Sequence, residues 1–428
     1  MRHAGRHRSP SRYARPVSSR RGLTADVSIV FLCRFVGMVL NAVVYVLVAR
    51  AMGPAGFGRF AAVAGIVTVA QVLLDAGTSS VVSRDAAEGR ERSSLTAALV
   101  YRGWLLALLV LGLLGLLVAG SWGPPSVRPA TAVVAAAAVW TVSGVLQVLA
   151  VGLLIGRGRT LAGSVLPLAE RVLAVVVILL VLLADRLSVT STLAAVAGSC
   201  LATAVVAGVT LRADVLAGWA GRARARGSAL GAAPSFLTSS LGAQLQNLDV
   251  PLVGALAGAG SAGLLAAPSR LTTPLGLVAA SAASILLVQA RHHAGGPRPA
   301  GARPLRRVVA GVLALTALGA LPLLVVPERT ARLLLGEGYS GSATVFRLVA
   351  VGVCVAAVNQ PLAAQLQAMR RHREVAMIVL AGGLLGLVVV AVTAPAAGAT
   401  GGGVGILGSQ LVILLALGLA LRRHGVVA

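Results

Sequence analysis

Val27-Ser-Ile-Val-Phe-Leu-Cys-Arg-Phe-Val-Gly-Met-Val-Leu-Asn-Ala-Val-Val-Tyr-Val-Leu-Val48 decides the fold, because it is an apolar run carrying a single arginine, Arg34. The turn Arg50-Ala-Met-Gly-Pro-Ala-Gly-Phe-Gly-Arg59 comes next, then a second apolar run ending at Asp75-Ala-Gly77, and a charged segment from Arg84 to Arg92. An α-helix needs ~20 residues to cross ~30 Å of hydrocarbon. Both runs exceed that length, so Thr24 to Arg92 reads as a membrane hairpin.

Antiparallel helices joined by a short turn hold residues equidistant from the turn at one depth. Positions 34 and 75 average to 54.5, between Pro54 and Ala55 in the middle of the turn, which places Arg34 and Asp75 level. A lone charge in the bilayer core costs ~2.5 kcal/mol or more, so an opposite charge at the same depth is its natural partner. The pair is expected either to lock the two helices or to line a wet cavity where ligand or ion contact breaks and remakes it.

Outward from this stretch the whole chain has the same character. Its 428 residues are 57% hydrophobic and 11% charged, with mean hydropathy +0.91, outside the range of soluble domains. Net charge is +25 and lysine is absent, so all 37 basic residues are arginines. They cluster between apolar runs, which assigns them to membrane topology and not to nucleic acid. Residues 1–23 read as a basic, disordered cytoplasmic tail attracted to anionic membrane lipids. Ser19-Arg20-Arg21 weakly resembles a twin-arginine export signal, but the next run is too long for a signal peptide and lacks a small-residue cleavage site. An uncleaved first helix is the better reading. Cys33, Cys200 and Cys354 show no metal or redox spacing.

Apolar runs recur about twelve times, near 24–50, 58–84, 95–120, 129–156, 161–184, 189–211, 229–256, 260–290, 304–326, 340–369, 372–393 and 400–421. Alternate connections on one side hold nineteen arginines besides the seven of the N-terminal tail, whereas the opposite side holds six: Arg50, Arg59, Arg128, Arg186, Arg329 and Arg332. The positive-inside rule then makes both termini cytoplasmic, in the plasma or inner membrane. The basic linker 212–228 divides an N-lobe of helices 1–6 (24–211) from a C-lobe of helices 7–12 (229–421), and 422–428 is a second cytoplasmic tail. Faint likenesses cross that divide, Gly53-Pro-Ala-Gly-Phe57 with Gly260-Ser-Ala-Gly-Leu264 and Leu154-Ile-Gly-Arg157 with Gln367-Ala-Met-Arg370. An even number of spans per half makes such repeats parallel, related by a pseudo-two-fold axis along the membrane normal, with a ligand site between them. The fold class is thus an all-α polytopic membrane protein of about twelve transmembrane helices.

The second half has its own charged hairpin. Asp249 and Arg270 average to 259.5, between Ala259 and Gly260, so they too are expected level. They lie ~16 Å from their turn, against ~31 Å for Arg34 and Asp75, so the two pairs sit at different depths. Gln244 and Asn247 share a helix face, as do Gln246 and Asp249. With Asn359 and Gln360 they either bond helix to helix or form the wall of a glycan-contacting cavity. Arg102 and the pair Glu170-Arg171 are read as snorkelling toward cytoplasmic ends. Pro251, Pro268, Pro274 and Pro361 mark places for helices to bend.

Other chemistry is excluded by what is missing. Without lysine there is no phosphate-binding P-loop, so the chain supplies no ATPase. The histidines, at 3, 7, 292, 293, 372 and 424, fall in tails and loops without metal-ligand spacing. The outer loops are short and offer only Asp185, Glu328 and Glu337 as acids, too little for glycosyl transfer. No enzyme activity, metal or cofactor is expected.

Several motifs are familiar in their order. Arg50-Ala-Met-Gly-Pro-Ala-Gly-Phe-Gly-Arg-Phe60, Asp75-Ala-Gly77 and Arg84-Asp-Ala-Ala87 together resemble the opening of the polysaccharide-transporter, O-antigen flippase-like branch of the multidrug/oligosaccharidyl-lipid/polysaccharide exporter superfamily. Asp249-Val-Pro-Leu-Val-Gly254 through Gly263 to Arg270 resembles its seventh and eighth helices, Leu333-Leu-Leu-Gly-Glu-Gly-Tyr339 the segment before its tenth, and Gly398-Ala-Thr-Gly401 the turn before its twelfth. The resemblance implies a two-lobed, alternating-access flippase that moves a polyprenyl-diphosphate-linked oligosaccharide from the inner to the outer leaflet for cell-surface polysaccharide synthesis. It implies that Arg34 and Arg270 hold the diphosphate, that Asp75 and Asp249 neutralise them or couple transport to an ion, and that glycosyltransferases and a polymerase of the pathway are partners. Leu264 stands where the family usually has an aromatic, which leaves the glycan unspecified. The alternatives are a cation-coupled multidrug exporter of the same superfamily and a non-transporting scaffold of an envelope-synthesis complex.

Overall fold

A computed structural model describes residues 20–89, 91–121, 131–212, 233–276, 279 and 302–425. The N-terminal tail through residue 19, the Trp122-Gly-Pro-Pro125 break, most of the 212–228 linker and the end of the eighth apolar run with His292 and His293 lie outside the described residues. Among the described residues all regular structure is helical, and nine helices are long and apolar enough to cross a membrane. The chain is a multi-pass membrane protein. Leu183, Leu333, Val392 and Trp104 are each more than 70% exposed, which water would penalise and lipid does not.

In chain order the helices are α1 (Arg20–Asp75), α2 (Thr78–Ala87), α3 (Glu91–Ser121), α4 (Thr131–Gly156), α5 (Thr160–Leu183) and α6 (Val189–Thr210). The second half holds α7 (Ala233–Gln244), α8 (Asp249–Leu271), α9 (Ala302–Val325), α10 (Pro327–Leu335), α11 (Ala343–Ala368), α12 (His372–Ala397) and α13 (Ala399–Arg423). Short 3₁₀ turns, Leu245–Leu248 and Glu337–Tyr339, join α7 to α8 and α10 to α11.

Two of these helices fold back on themselves. In α1 the break is at Gly53, whose φ of 65° is open to glycine, with Pro54 next to it. The Tyr45 and Phe60 rings lie 6.2 Å apart across fifteen residues of sequence, which only a reversal of the chain permits. In α8 the break is at Gly258, φ 86°, and a Cβ on Gly254 would meet Ala262 at 3.4 Å, again placing residues equidistant from the glycine side by side. Both hairpins expected from the sequence exist, but each turns one to two residues earlier than expected, and that shift changes which side chains are level.

The halves of the chain meet along the second limb of α1. A Cβ on Gly58 would lie 1.9 Å from the Ala259 carbonyl, and one on Gly263 would lie 1.8 Å from that of Pro54. Backbone therefore touches backbone where the Gly53 and Gly258 turns cross. Phe57, Phe60, Val253, Leu265 and Phe346 fill the space around this crossing in one buried cluster drawn from both halves. At the same end Arg50 Nη2 donates to the Leu333 carbonyl at 3.1 Å and Gly338 packs against Pro54. At the opposite end Gly77 admits the start of α7, since a Cβ there would meet the Ala233 carbonyl at 2.5 Å.

Candidate functional site

Asp75 ends α1 and caps α2. Ala76 and Gly77 both take positive φ, 47° and 76°, and the Asp75 carboxylate accepts the Gly77 N–H at 3.1 Å and the Ser79 N–H at 3.4 Å at the start of α2. Its cation is not Arg34. With the reversal at Gly53, residue 31 is the one level with Asp75, and the carboxylate is taken instead by Arg102 of α3. Arg102 Nη2 also donates to Ser79 Oγ at 2.7 Å and to Thr78 Oγ1 at 2.9 Å, and Nη1 donates to the Val145 carbonyl of α4 at 2.9 Å. Arg102 is 1% exposed, so it does not snorkel: it is a fully satisfied buried cation that ties α1, α2, α3 and α4 together. Arg34 is exposed on α1 and makes no ion pair among the described residues.

The second half, with Thr68 of α1, lines a cavity of about 420 Å³, whose polar wall residues include Gln244, Asn247, Asp249, Arg270 and Gln410. It arises from a defect that the sequence dictates. Pro251 has no N–H to offer the Asn247 carbonyl, so α7 and α8 are separated by the 3₁₀ turn Leu245–Leu248. Gly65 of α1 comes in close there, a Cβ being only 2.2 Å from that carbonyl. The turn throws Gln244, Asn247 and Asp249 toward one space. Asn247 Nδ2 donates to Gln244 Oε1 at 2.7 Å, as their shared helix face leads one to expect.

Arg270 enters from the returning limb of α8. Reversal at Gly258 makes it level with residues 246 and 247, and Nη1 donates to Asn247 Oδ1 at 3.1 Å. The expected Asp249–Arg270 pair is therefore not formed. Arg270 Nε is buried without a hydrogen-bond partner among the described residues, and the guanidinium carbon stands 5.6 Å from the centroid of the Tyr45 ring on α1. Asp249 is 4% exposed and makes no ion pair among the described residues. Among the described residues the cavity thus holds a cation that is ion-paired to no carboxylate, beside a carboxylate that is ion-paired to no cation.

The other sequence candidates divide. Asn359 of α11 is buried and donates through Nδ2 to the Gln410 carbonyl at 3.0 Å and to Gln410 Oε1 at 2.9 Å, so it braces a wall residue from behind. Gln360 is exposed. Gln410, which sequence reasoning missed, had a signal in the polar pair Ser409-Gln410 within the last apolar run. Arg171 also departs from expectation. It lies at the midpoint of α5, about 16 Å from the helix start and too deep to snorkel with ease, and Nη1 donates to Asn41 Oδ1 of α1 at 3.3 Å.

A family model described as polysaccharide biosynthesis protein matches residues 23–287, more than half of the chain and both charged hairpins. The chain belongs to that family. Among solved structures, this family member is similar to the lipid II flippase MurJ in an inward closed conformation, at 12% identity, with 91% of this chain and 87% of that one covered and a TM-score of 0.69. It is also similar to a multidrug resistance MATE family transporter of the MOP superfamily in an inward-facing conformation, at 14% identity, 91% and 94% coverage and a TM-score of 0.65. The outward-facing conformation of a MATE family transporter matches at 16% identity, 93% and 95% coverage and a TM-score of 0.60. These likenesses establish the fold of MOP-superfamily transporters. No match was found among curated proteins.

Proposed function

We propose that this protein is a flippase that carries a polyprenyl-diphosphate-linked oligosaccharide from the inner to the outer leaflet by alternating access. The observation that supports this most is Arg270, a guanidinium with no anionic partner among the described residues, in a cavity whose polar lining is otherwise amides, hydroxyls and Asp249, set among apolar residues such as Val349 and Ile406. A diphosphate faces a prohibitive desolvation cost in hydrocarbon, and arginine offers it a permanent charge with bidentate geometry. The amides Gln244, Asn247 and Gln410 can exchange hydrogen bonds with sugar hydroxyls while the lipid tails stay outside, between the lobes. Membership of a polysaccharide biosynthesis family agrees with that cargo.

On this reading residues 24–211 and 229–421 act as the two lobes, both termini face the cytoplasm of the plasma or inner membrane, and glycosyltransferases and a polymerase work alongside. Asp75 is committed to Arg102, which leaves Asp249 as the carboxylate for ion coupling. Arg34, exposed and without an ion-pair partner among the described residues, serves as an entry contact for phosphate. The test is translocation of a labelled lipid-diphosphate oligosaccharide in proteoliposomes. Wild type moves it and Arg270→Ala does not, with matched folding by size exclusion. Transport of cationic dyes in place of every such lipid would assign a drug exporter instead, and unaltered envelope-complex assembly with no transport at all would leave only the scaffold.

A further inference from the structure

Arg171 is a mid-membrane charge with an incomplete set of partners. Of its five N–H donors, one bonds to a described residue, Asn41 on α1 at 3.3 Å, while the Glu170 carboxylate stands 3.6 Å away, outside good hydrogen-bond range. The side chain is 34% exposed. A charge held at the centre of a membrane helix is costly, and where it is retained it marks a substrate or ion path.

Its neighbour on α1 gives the path a direction. Asn41 and Tyr45 are four residues apart on an unbroken stretch of α1, on one face and about 6 Å apart along the axis. Tyr45 is the seat of Arg270, which comes from the other half of the chain. Consecutive turns of a single helix face therefore carry two guanidiniums, Arg171 from α5 on Asn41 and Arg270 from α8 on Tyr45. Arg270 is held by neutral contacts, an amide oxygen and an aromatic face, and Arg171 by an amide oxygen beside the Glu170 carboxylate at 3.6 Å; a phosphate would add charge-assisted hydrogen bonds, about twice as strong as neutral ones, to donors that these contacts leave unfilled.

We propose that Arg171 and Arg270 form a clamp across the two halves of the chain, with α1 as its back, that takes two linked phosphates, one per guanidinium. The clamp deepens the flippase reading and rests on it. It assigns to Arg171 the discrimination of a diphosphate-linked lipid from a monophosphate-linked one. Arg270 alone suffices for a single phosphate, and only the second phosphate reaches Arg171. Because the two arginines come from different halves, a diphosphate also bridges those halves in a way that a monophosphate does not.

The experiment measures binding of two probes to purified full-length protein, a polyprenyl diphosphate and the matching polyprenyl monophosphate carrying the same disaccharide. Wild type, Arg171→Ala, Arg171→Lys and Glu170→Gln are compared. Arg171→Ala is expected to lose roughly 10- to 100-fold in diphosphate affinity, the equivalent of one charged hydrogen-bonded contact, while monophosphate affinity stays within about twofold. Arg171→Lys restores part of the preference by charge alone, and Glu170→Gln keeps it. A wild-type-like diphosphate to monophosphate ratio in Arg171→Ala overturns the clamp and leaves the flippase reading standing. Equal losses for both probes also overturn it, since a structural role weakens all binding alike. Wild type that binds neither probe overturns the flippase reading and the clamp together. If Arg171→Ala fails to fold, the ratio in Arg171→Lys decides: an unchanged preference refutes two-point contact through a bidentate guanidinium.

Discussion

Replacing Arg102 by methionine tests whether a buried charge holds the first half together. The guanidinium satisfies four neighbours at once: the Asp75 carboxylate, Thr78 Oγ1 (Nε at 3.1 Å), Ser79 Oγ and the Val145 carbonyl. Methionine fills much of the volume but leaves the Asp75 carboxylate, whose side chain is only 18% exposed, without its cation. Removing one partner of a buried pair costs about 3–5 kcal/mol. Asp75→Leu strands the cation instead, at a similar cost, and also loses the cap on α2. The double variant Arg102→Met/Asp75→Leu removes both charges and loses the cap on α2, about 1 kcal/mol, so it should cost clearly less than the two singles summed. The assay is the unfolding free energy of the purified protein in mixed micelles under denaturant titration, with all four proteins in one lipid-detergent composition. Additive single and double variants, or singles within about 0.5 kcal/mol of wild type, would refute the claim that this pair is buried and mutually compensated.

Gly263→Val puts side-chain atoms where the Pro54 carbonyl lies, so the Gly53 and Gly258 turns must separate; a spin-label pair across them is expected to report a longer distance than in wild type, and an unchanged distance would sink the backbone-contact geometry. Tyr339, in the 3₁₀ turn before α11, has a buried hydroxyl with no hydrogen-bond partner among the described residues, and burial pushes the phenol pKa well above its usual value. Because the folded phenol is raised while the unfolded one ionises near 10, wild type loses stability as pH rises through that value and Tyr339→Phe does not; the variant should match or exceed wild type in thermal midpoint at pH 7, and its advantage should widen at pH 10 and above. Asn359→Leu removes the brace behind Gln410 and is expected to weaken lipid binding roughly 3- to 10-fold with the fold intact; loss of affinity beyond about 100-fold would mean that Asn359 touches the lipid itself.

Legible and illegible features of this sequence divide along a physical line. Length and hydropathy of a run report whether a helix can cross a bilayer, and so the helical membrane fold and the reversals near Gly53 and Gly258 are readable. Depth along a hairpin is readable only to the accuracy of the turn. A misplacement of one to two residues shifts the level residue by two to four, about a helical turn, and this is why sequence alone pairs Asp75 with Arg34 and Arg270 with Asp249. Side-chain partners depend on a third coordinate, rotation about the helix axis and the identity of the neighbouring helix, which a single sequence does not contain. Asp75 meets Arg102 only because α3 returns beside α2, and no spacing between positions 75 and 102 announces that. Local spacing succeeds where both partners lie on one continuous segment, as for Gln244 and Asn247.

The same distinction bears on which arginines serve structure and which serve cargo. Arg102 and Arg171 look alike in sequence, each a cation inside an apolar run, and both read there as snorkelling. Their surroundings separate them. Arg102 has its charge met by Asp75 and its donors met by two hydroxyls and a carbonyl, so any ligand would have to break a satisfied network to reach it. Arg171 and Arg270 each spend one donor on an amide oxygen, Arg171 with the Glu170 carboxylate at 3.6 Å and Arg270 with an Nε that the protein leaves buried and unbonded among the described residues. An unfilled donor in a low-dielectric site costs about 1–3 kcal/mol, which an incoming anion recovers. Neutralising a satisfied arginine should therefore damage stability before transport, and neutralising an unsatisfied one should damage transport while leaving stability equal or improved. Arg102→Met set beside Arg270→Met, each measured for both properties, puts that contrast to the test, and a stability loss at Arg270 as large as that at Arg102 would show that its guanidinium is structural after all.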